Sequence, residues 1–203
     1  MSRIRLILWA LVAFAVAAVS TITLYRGQNP ALQVTVVDGR IKPFSLIGPG
    51  NQLITNAHFR GKWMLLFFGY THCPDICPTT MLTIASVLND LGDEAVKLQP
   101  IFITIDPERD SPALLKDYLA NFDSRILGLG GDEQRVAEAA EAFGVFYRKQ
   151  PIDNSDGDYY MDHSTALYLV DPDGRLARPY VPDVPPGELA EKLRVRFRTF
   201  EEK

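Results

Sequence analysis

The chain has 203 residues, 21 basic against 25 acidic, with only two cysteines and three histidines. Three of the basic residues, Arg3, Arg5 and Arg26, flank an N-terminal apolar run, which leaves 18 against 25 for the remainder. A remainder this acidic disfavours nucleic acid and anionic lipid surfaces as partners. No repeat, low-complexity tract or second linker divides it, and roughly 170 residues suffice for one domain with its own core.

In chain order, the first element is the run "LILWALVAFAVAAVSTITL" at 6–24, nineteen residues without a charged side chain. A bilayer core takes about 20 residues at helical rise, so 1–26 reads as a single membrane anchor. Arg3 and Arg5 ahead of the run keep the N-terminus cytoplasmic and place the rest of the chain on the far side. Ala15-Val16-Ala17 offers the alternative of a signal peptidase site, but the apolar run outlasts a signal core, which favours an uncleaved anchor. Residues 27–31 form a tether, and 32–203 the folded domain.

In that domain, Phe44 to Ile47 and Gln52 to Thr55 flank Gly48-Pro49-Gly50-Asn51 and predict a β-hairpin. Residues 62–69, "KWMLLFFG", form a continuous apolar run, as in a strand buried on both faces. The cysteine segment comes next and leads into a helix with Met81, Ile84, Ala85, Leu88 and Leu91 on one face and Gly92 as its stop. A second buried strand spans 98–106, and Ser111-Pro112 opens a helix to about Ala120. A short strand at 126–127 precedes a helix over 132–143 that stops at Gly144. Residues 145–148 read as an edge strand, 166–170 and 176–180 pair across an Asp-Pro-Asp-Gly turn, and Leu189, Leu193, Phe197 and Phe200 mark a C-terminal helix. Strands alternating with helices, with one terminal hairpin, predict an α/β sandwich with a mixed central sheet. The cysteines then fall where the first central strand turns into a helix, the end of the sheet where α/β proteins place their sites.

Both cysteines lie in "GYTHCPDICPTT", residues 69–80, each followed by proline. Four residues apart on a helix, two Cβ atoms are ~5–6 Å apart, against ~3.5–4.5 Å in a relaxed disulfide. A disulfide therefore needs a partly unwound first turn, and a loop this small stabilises little. The amides of a helix start lower a thiol pKa, so Cys73 and Cys77 read as a reactive or metal-binding pair. Zinc sites want four ligands, and no second Cys or Cys/His pair is present. Two thiolates suit copper, with one imidazole as a third ligand. His58 reads as a surface or capping residue, and His72 as pointing away from its neighbour Cys73. His163 precedes a strand and can arrive at the sheet edge of the cysteines, although a loop histidine is commonly just solvated.

"GKWMLLFFGYTHCPDICPTT", "ITIDPERDSP" and "DHSTALYLVDPDGR", in that order, resemble the Sco/SenC family. The resemblance covers the chain from about Phe44 to the C-terminal helix. It implies a membrane-anchored, thioredoxin-like copper metallochaperone, not an enzyme, that helps assemble the binuclear copper centre of cytochrome c oxidase. It also implies that Cys73, Cys77 and His163 bind one copper ion, Cu(I) or Cu(II), and that Cys73 and Cys77 form a redox disulfide when oxidised. The implied partners are the copper-binding subunit of the oxidase and another periplasmic copper carrier. The implied location is the cytoplasmic membrane with the domain on its periplasmic or equivalent side.

Two rival functions use the same residues: a thiol-disulfide oxidoreductase acting on the oxidase subunit's cysteines, and a redox or copper sensor. Thioredoxin-type catalysts separate their cysteines by two residues rather than three, and 161–165 contains no proline to face them. A peroxiredoxin-like peroxidase is weaker, because Tyr70 stands where that family places a threonine or serine. The polar insert "QPIDNSDGDYY" before His163 reads as a mobile loop that copper would order. Asp106 and Asp110 read either as aids to the site or as turn and cap residues.

Overall fold

The structure, a computed structural model, describes residues 36, 37, 39–152 and 157–202, together with Trp9, Val16 and Ser20. Its contacts divide the chain into units Met1–Gln33 and Val34–Lys203. The anchor expected at 1–26, those three helical positions apart, and the tether at 27–31 lie outside the described residues. Among the described residues no helix is long and apolar enough to cross a membrane.

The second unit begins with β1 (Val36–Val37) and β2 (Arg40–Ile41), a short ribbon. The expected hairpin is β3 (Ser45–Ile47) and β4 (Leu53–Thr55), with Leu46 facing Ile54. Its turn needs left-handed backbone at Gly50 and Asn51, φ 69° and 59°, residue types that adopt it readily.

The central sheet is built from β5 (Trp63–Gly69), β6 (Leu98–Thr104), β7 (Leu127–Leu129), β10 (Leu167–Val170) and β11 (Leu176–Tyr180). Their order is β11-β10-β5-β6-β7, with β5, β6 and β7 parallel and β10 and β11 antiparallel to their neighbours. Every residue of β5 is buried, as its unbroken apolar run requires of a central strand. Among the described residues four α-helices accompany the sheet: α1 (Ile76–Leu91), α2 (Pro112–Ala120), α3 (Glu133–Phe143) and α4 (Pro186–Glu201). This mixed sheet flanked by helices is a thioredoxin-like α/β fold. Phe68, Phe143 and Tyr168 pack ring against ring between the sheet and α3, with centroids 5.4 to 6.0 Å apart.

Local signals account for the helix ends. Ser111 accepts from the Leu114 amide with Pro112 opening α2, and Asp132 accepts from the Arg135 amide to start α3. Gly144 ends α3 in left-handed backbone. On α1 the buried face includes Val87, while the expected Ala85 is half-buried.

Two expectations are corrected. The strand expected at 145–148 is β8 (Tyr147–Pro151), which pairs with β9 (Tyr159–His163) in a separate ribbon rather than along the central sheet. The two ends of the insert expected to be a loop, Gln150-Pro151 and Tyr159-Tyr160, are therefore hydrogen-bonded strand, with residues 153–156 outside the described ones. The second correction concerns α1, which starts at Ile76, so Cys73 lies in the turn before the helix and not on its face. Asp75 does not cap α1 with its side chain, and Pro78 sits in the first helical turn, where its missing N–H costs nothing.

Candidate metal centre

The end of β5, the turn after it and the end of β9 meet at one point. There the Cys73 and Cys77 sulfurs and a ring nitrogen of His163 lie within 4.8 Å of one another, a grouping that could hold a metal ion. Cys77, on the first turn of α1, is fully buried, and Cys73 is 9% exposed. Room for the Cys77 sulfur comes from Gly69, the last residue of β5. A Cβ at that position would stand 2.9 Å from Sγ, 2.8 Å from Phe67 and 3.0 Å from Phe102.

Because α1 starts late, its Cys77 amide points at the Cys73 sulfur, 3.4 Å away. The sulfur thus occupies the place of a helix N-cap and receives an otherwise orphaned amide. The Cys77 thiol also donates toward Cys73, and together these bonds hold the Cys73 thiol down at about 4. Cys77 goes the opposite way, because it holds the shared proton and is buried. At neutral pH the apo pair is one thiolate and one thiol. The unwound turn also removes the helical spacing that argued against a disulfide.

His163 ends β9 opposite Tyr147. Its Nδ1 lies 2.9 Å from the Ser164 carbonyl, which can only accept, so Nδ1 carries a hydrogen. The neutral ring then presents the Nε2 lone pair to the cysteines, 3.8 Å from the Cys77 sulfur. Phe67 and Tyr70 meet this ring edge-on, at 6.1 and 5.9 Å, and fix its plane.

Asp106 and Asp110 lie outside this grouping and hold its two sides. Asp110 is buried, and its oxygens accept from the Thr71 hydroxyl at 2.6 Å, the Thr71 amide at 3.0 Å and the Thr104 hydroxyl at 2.7 Å. The cysteine turn is thereby fastened to the end of β6. Asp106, fully buried, accepts from Arg109 at 2.5 Å and from the Tyr159 hydroxyl at 2.8 Å. Arg109 donates to the Tyr159 carbonyl at 3.0 Å and stacks 3.6 Å from its ring centre. A Lys149–Glu108 ion pair adds to this attachment of the hairpin.

The other two histidines lie apart from the group. His58 accepts the Thr55 amide at 3.0 Å, a capping role as expected. His72 projects outward with a half-exposed side chain. Sequence reasoning missed Thr71, Arg109 and Tyr159, since the contacts that reveal them join residues 39 to 53 positions apart. The only local signal was the dense "DPERD" segment.

Fold and site together define a thioredoxin-like domain with two thiols and an imidazole converging at the carboxyl ends of its strands. The SCO1/SenC family model matches residues 37–198, and the chain belongs to that family. A SCO2-like protein of Rickettsia prowazekii is 36% identical over 162 residues, covering 78% of this chain and 79% of its own length. The structure of Bradyrhizobium japonicum ScoI with copper bound is 43% identical, at TM-score 0.70 over 75% of this chain and 96% of that one. Copper-bound yeast Sco1 is 34% identical, at TM-score 0.73 over 79% and 89% of the respective chains.

Proposed function

We propose that this protein is a copper metallochaperone that binds one copper ion through Cys73, Cys77 and His163. The observation that carries the reading is the convergence of the three donors at the strand ends, in a family whose solved members include copper-bound ones. The donor set fits the cargo: two thiolates select a soft ion, and an oriented imidazole completes a three-ligand shell that also tolerates Cu(II). The recipient is the copper-binding subunit of cytochrome c oxidase, as the family resemblance implies. The run at 6–24 anchors the chain in the membrane, and the arginines before it place the domain on the non-cytoplasmic side.

Transfer proceeds by ligand exchange. A thiolate of the recipient bonds to copper as one thiolate of this chain leaves, the oxidation state is unchanged, and each step keeps the ion coordinated. Cys73 is the more accessible of the two cysteines. His163 matters most for Cu(II), since two thiolates alone satisfy Cu(I).

The test is an anaerobic copper titration of the reduced full-length chain beside His163→Ala. One tightly bound equivalent, with Cu(II) affinity weakened more than Cu(I) in the variant, is expected. Absence of a tight site would overturn the reading. The Cys73 thiolate also favours a second activity, reduction of a disulfide on the recipient. That role would show as turnover of disulfides by metal-free protein.

A further inference from the structure

We infer that His72 is a transient copper ligand that receives the ion at the surface and passes it to Cys73. The inference rests on the proposal that Cys73, Cys77 and His163 form the resident site. Its grounds are the direction of the hydrogen bonds around Thr71 and the set of side chains exposed beside the sulfurs.

The Thr71 hydroxyl has one hydrogen, and it goes to Asp110 Oδ1 at 2.6 Å. The Thr71 oxygen can then only accept from the His72 ring, whose Nδ1 lies 3.1 Å away. Nδ1 of His72 is therefore the donor, and the neutral ring keeps its lone pair on Nε2. Asp110 is itself fixed by Thr104 and the Thr71 amide, so the chain Asp110, Thr71, His72 sets the tautomer of a surface imidazole from a buried carboxylate. Metal-binding histidines are commonly supported in this way. His163 has the same pattern, with Nδ1 occupied and Nε2 free, but its ring is turned inward toward the sulfurs.

The route to the sulfurs points to the same residue. Cys77 is fully covered, and Phe67 and Tyr70 pack against His163. In the cysteine turn the exposed residues are His72, Pro74 and Asp75. Of these, His72 alone offers an imidazole, a donor that suits copper. Its side chain is 52% exposed and it adjoins Cys73, the sulfur nearer to solvent. In the first step copper exchanges one ligand of its carrier for His72 Nε2. Next the Cys73 sulfur bonds to the ion, Cys77 and His163 add in turn, and His72 lets go. Any thiol proton displaced leaves to water, and the copper oxidation state does not change. Release runs through the same steps in reverse.

A ligand used only in passage changes uptake and release by the same factor and leaves the affinity alone. The experiment measures copper uptake from a weak colorimetric Cu(I) chelator by stopped flow, and affinity by competition, in the full-length chain and three variants. His72→Ala should slow uptake and release together by about tenfold, within the range over which association rates vary among mutants of one site. His72→Met, which supplies a thioether donor suited to Cu(I), should recover the rate, and Thr71→Val, which keeps the ring but removes its support, should fall between. Wild-type uptake by His72→Ala would overturn the inference, as would slow uptake by His72→Met. A fall in affinity matching the fall in rate would make His72 a resident ligand and also overturn it. If the parent chain binds no copper at equilibrium, the three-ligand reading fails with it, which separates the two failures.

Discussion

The two sides of the proposed copper site are held in different ways. The cysteine side is part of the fold's interior: Gly69 closes a fully buried strand, Cys77 sits on the helix after it, and the Cys73 sulfur caps that helix. The histidine side is a two-stranded ribbon outside the central sheet, attached by the side chains of Asp106, Arg109 and Tyr159. A domain can thus fix two ligands by its core and leave the third to a small set of polar contacts, so that the third is adjustable without unfolding the first two.

The largest expected effect comes from the fixed side. Cys77→Ser should weaken copper binding by more than the roughly 10–100-fold that loss of a supporting partner costs, because it removes a ligand outright. Undiminished affinity in a competition titration would mean that the sulfurs are not the site. On the attached side, Asp106→Ala leaves Arg109 and the Tyr159 hydroxyl without their buried acceptor. It should cost on the order of 3 kcal/mol in thermal or denaturant unfolding. Copper affinity should fall by about 10–100-fold while both thiols remain reactive. Tyr159→Phe removes a single hydrogen bond and should cost only about 1 kcal/mol. Equal losses from these two substitutions would remove Asp106 as the anchor of the ribbon.

The smallest effect concerns protons. The native Cys73 thiol is held down at about 4, well below its value in an unfolded chain, so its thiolate contributes stability that is fully present above the unfolded pKa and lost as pH falls toward 4. Cys77 is shifted upward, so its contribution is present below the unfolded pKa and lost as pH rises far above it. The reduced apo chain should gain stability relative to Cys73→Ser as pH rises from about 4 to about 9. Copper should displace about one proton near pH 7, from Cys77, rather than two. Calorimetry in buffers of different ionisation enthalpy reads this number, and a value of two would show that Cys73 is protonated in the apo chain.

The same division explains what could be read from the sequence. β5, β6 and the helices are legible because burial on one or both faces leaves an apolar run or a helical period. The three candidate donors were legible too, His163 through the family resemblance rather than its own surroundings, and the structure brings their donor atoms within 4.8 Å of one another. The ribbon was not, because "QPIDNSDGDYY" is polar and shows no apolar alternation, and its attachment lies some fifty residues away at Asp106 and Arg109. The start of α1 was misjudged for a related reason. Pro74 suits a first helical turn, but a sulfur from outside the helix took the capping place and moved the start to Ile76. Proline and acidic residues announce turns locally, whereas a cap made by a thiol is visible only in three dimensions.

Gly69 carries one more consequence. With a hypothetical methyl there already within 2.9 Å of the Cys77 sulfur, the strand leaves that sulfur no slack in its direction. Cu(I) and Cu(II) prefer different bond lengths and numbers of partners, and a carrier that meets both has to change shape between them. If the proposed site holds both ions, the room for that change would have to come from the ribbon side, where the imidazole stands on a hairpin outside the central sheet.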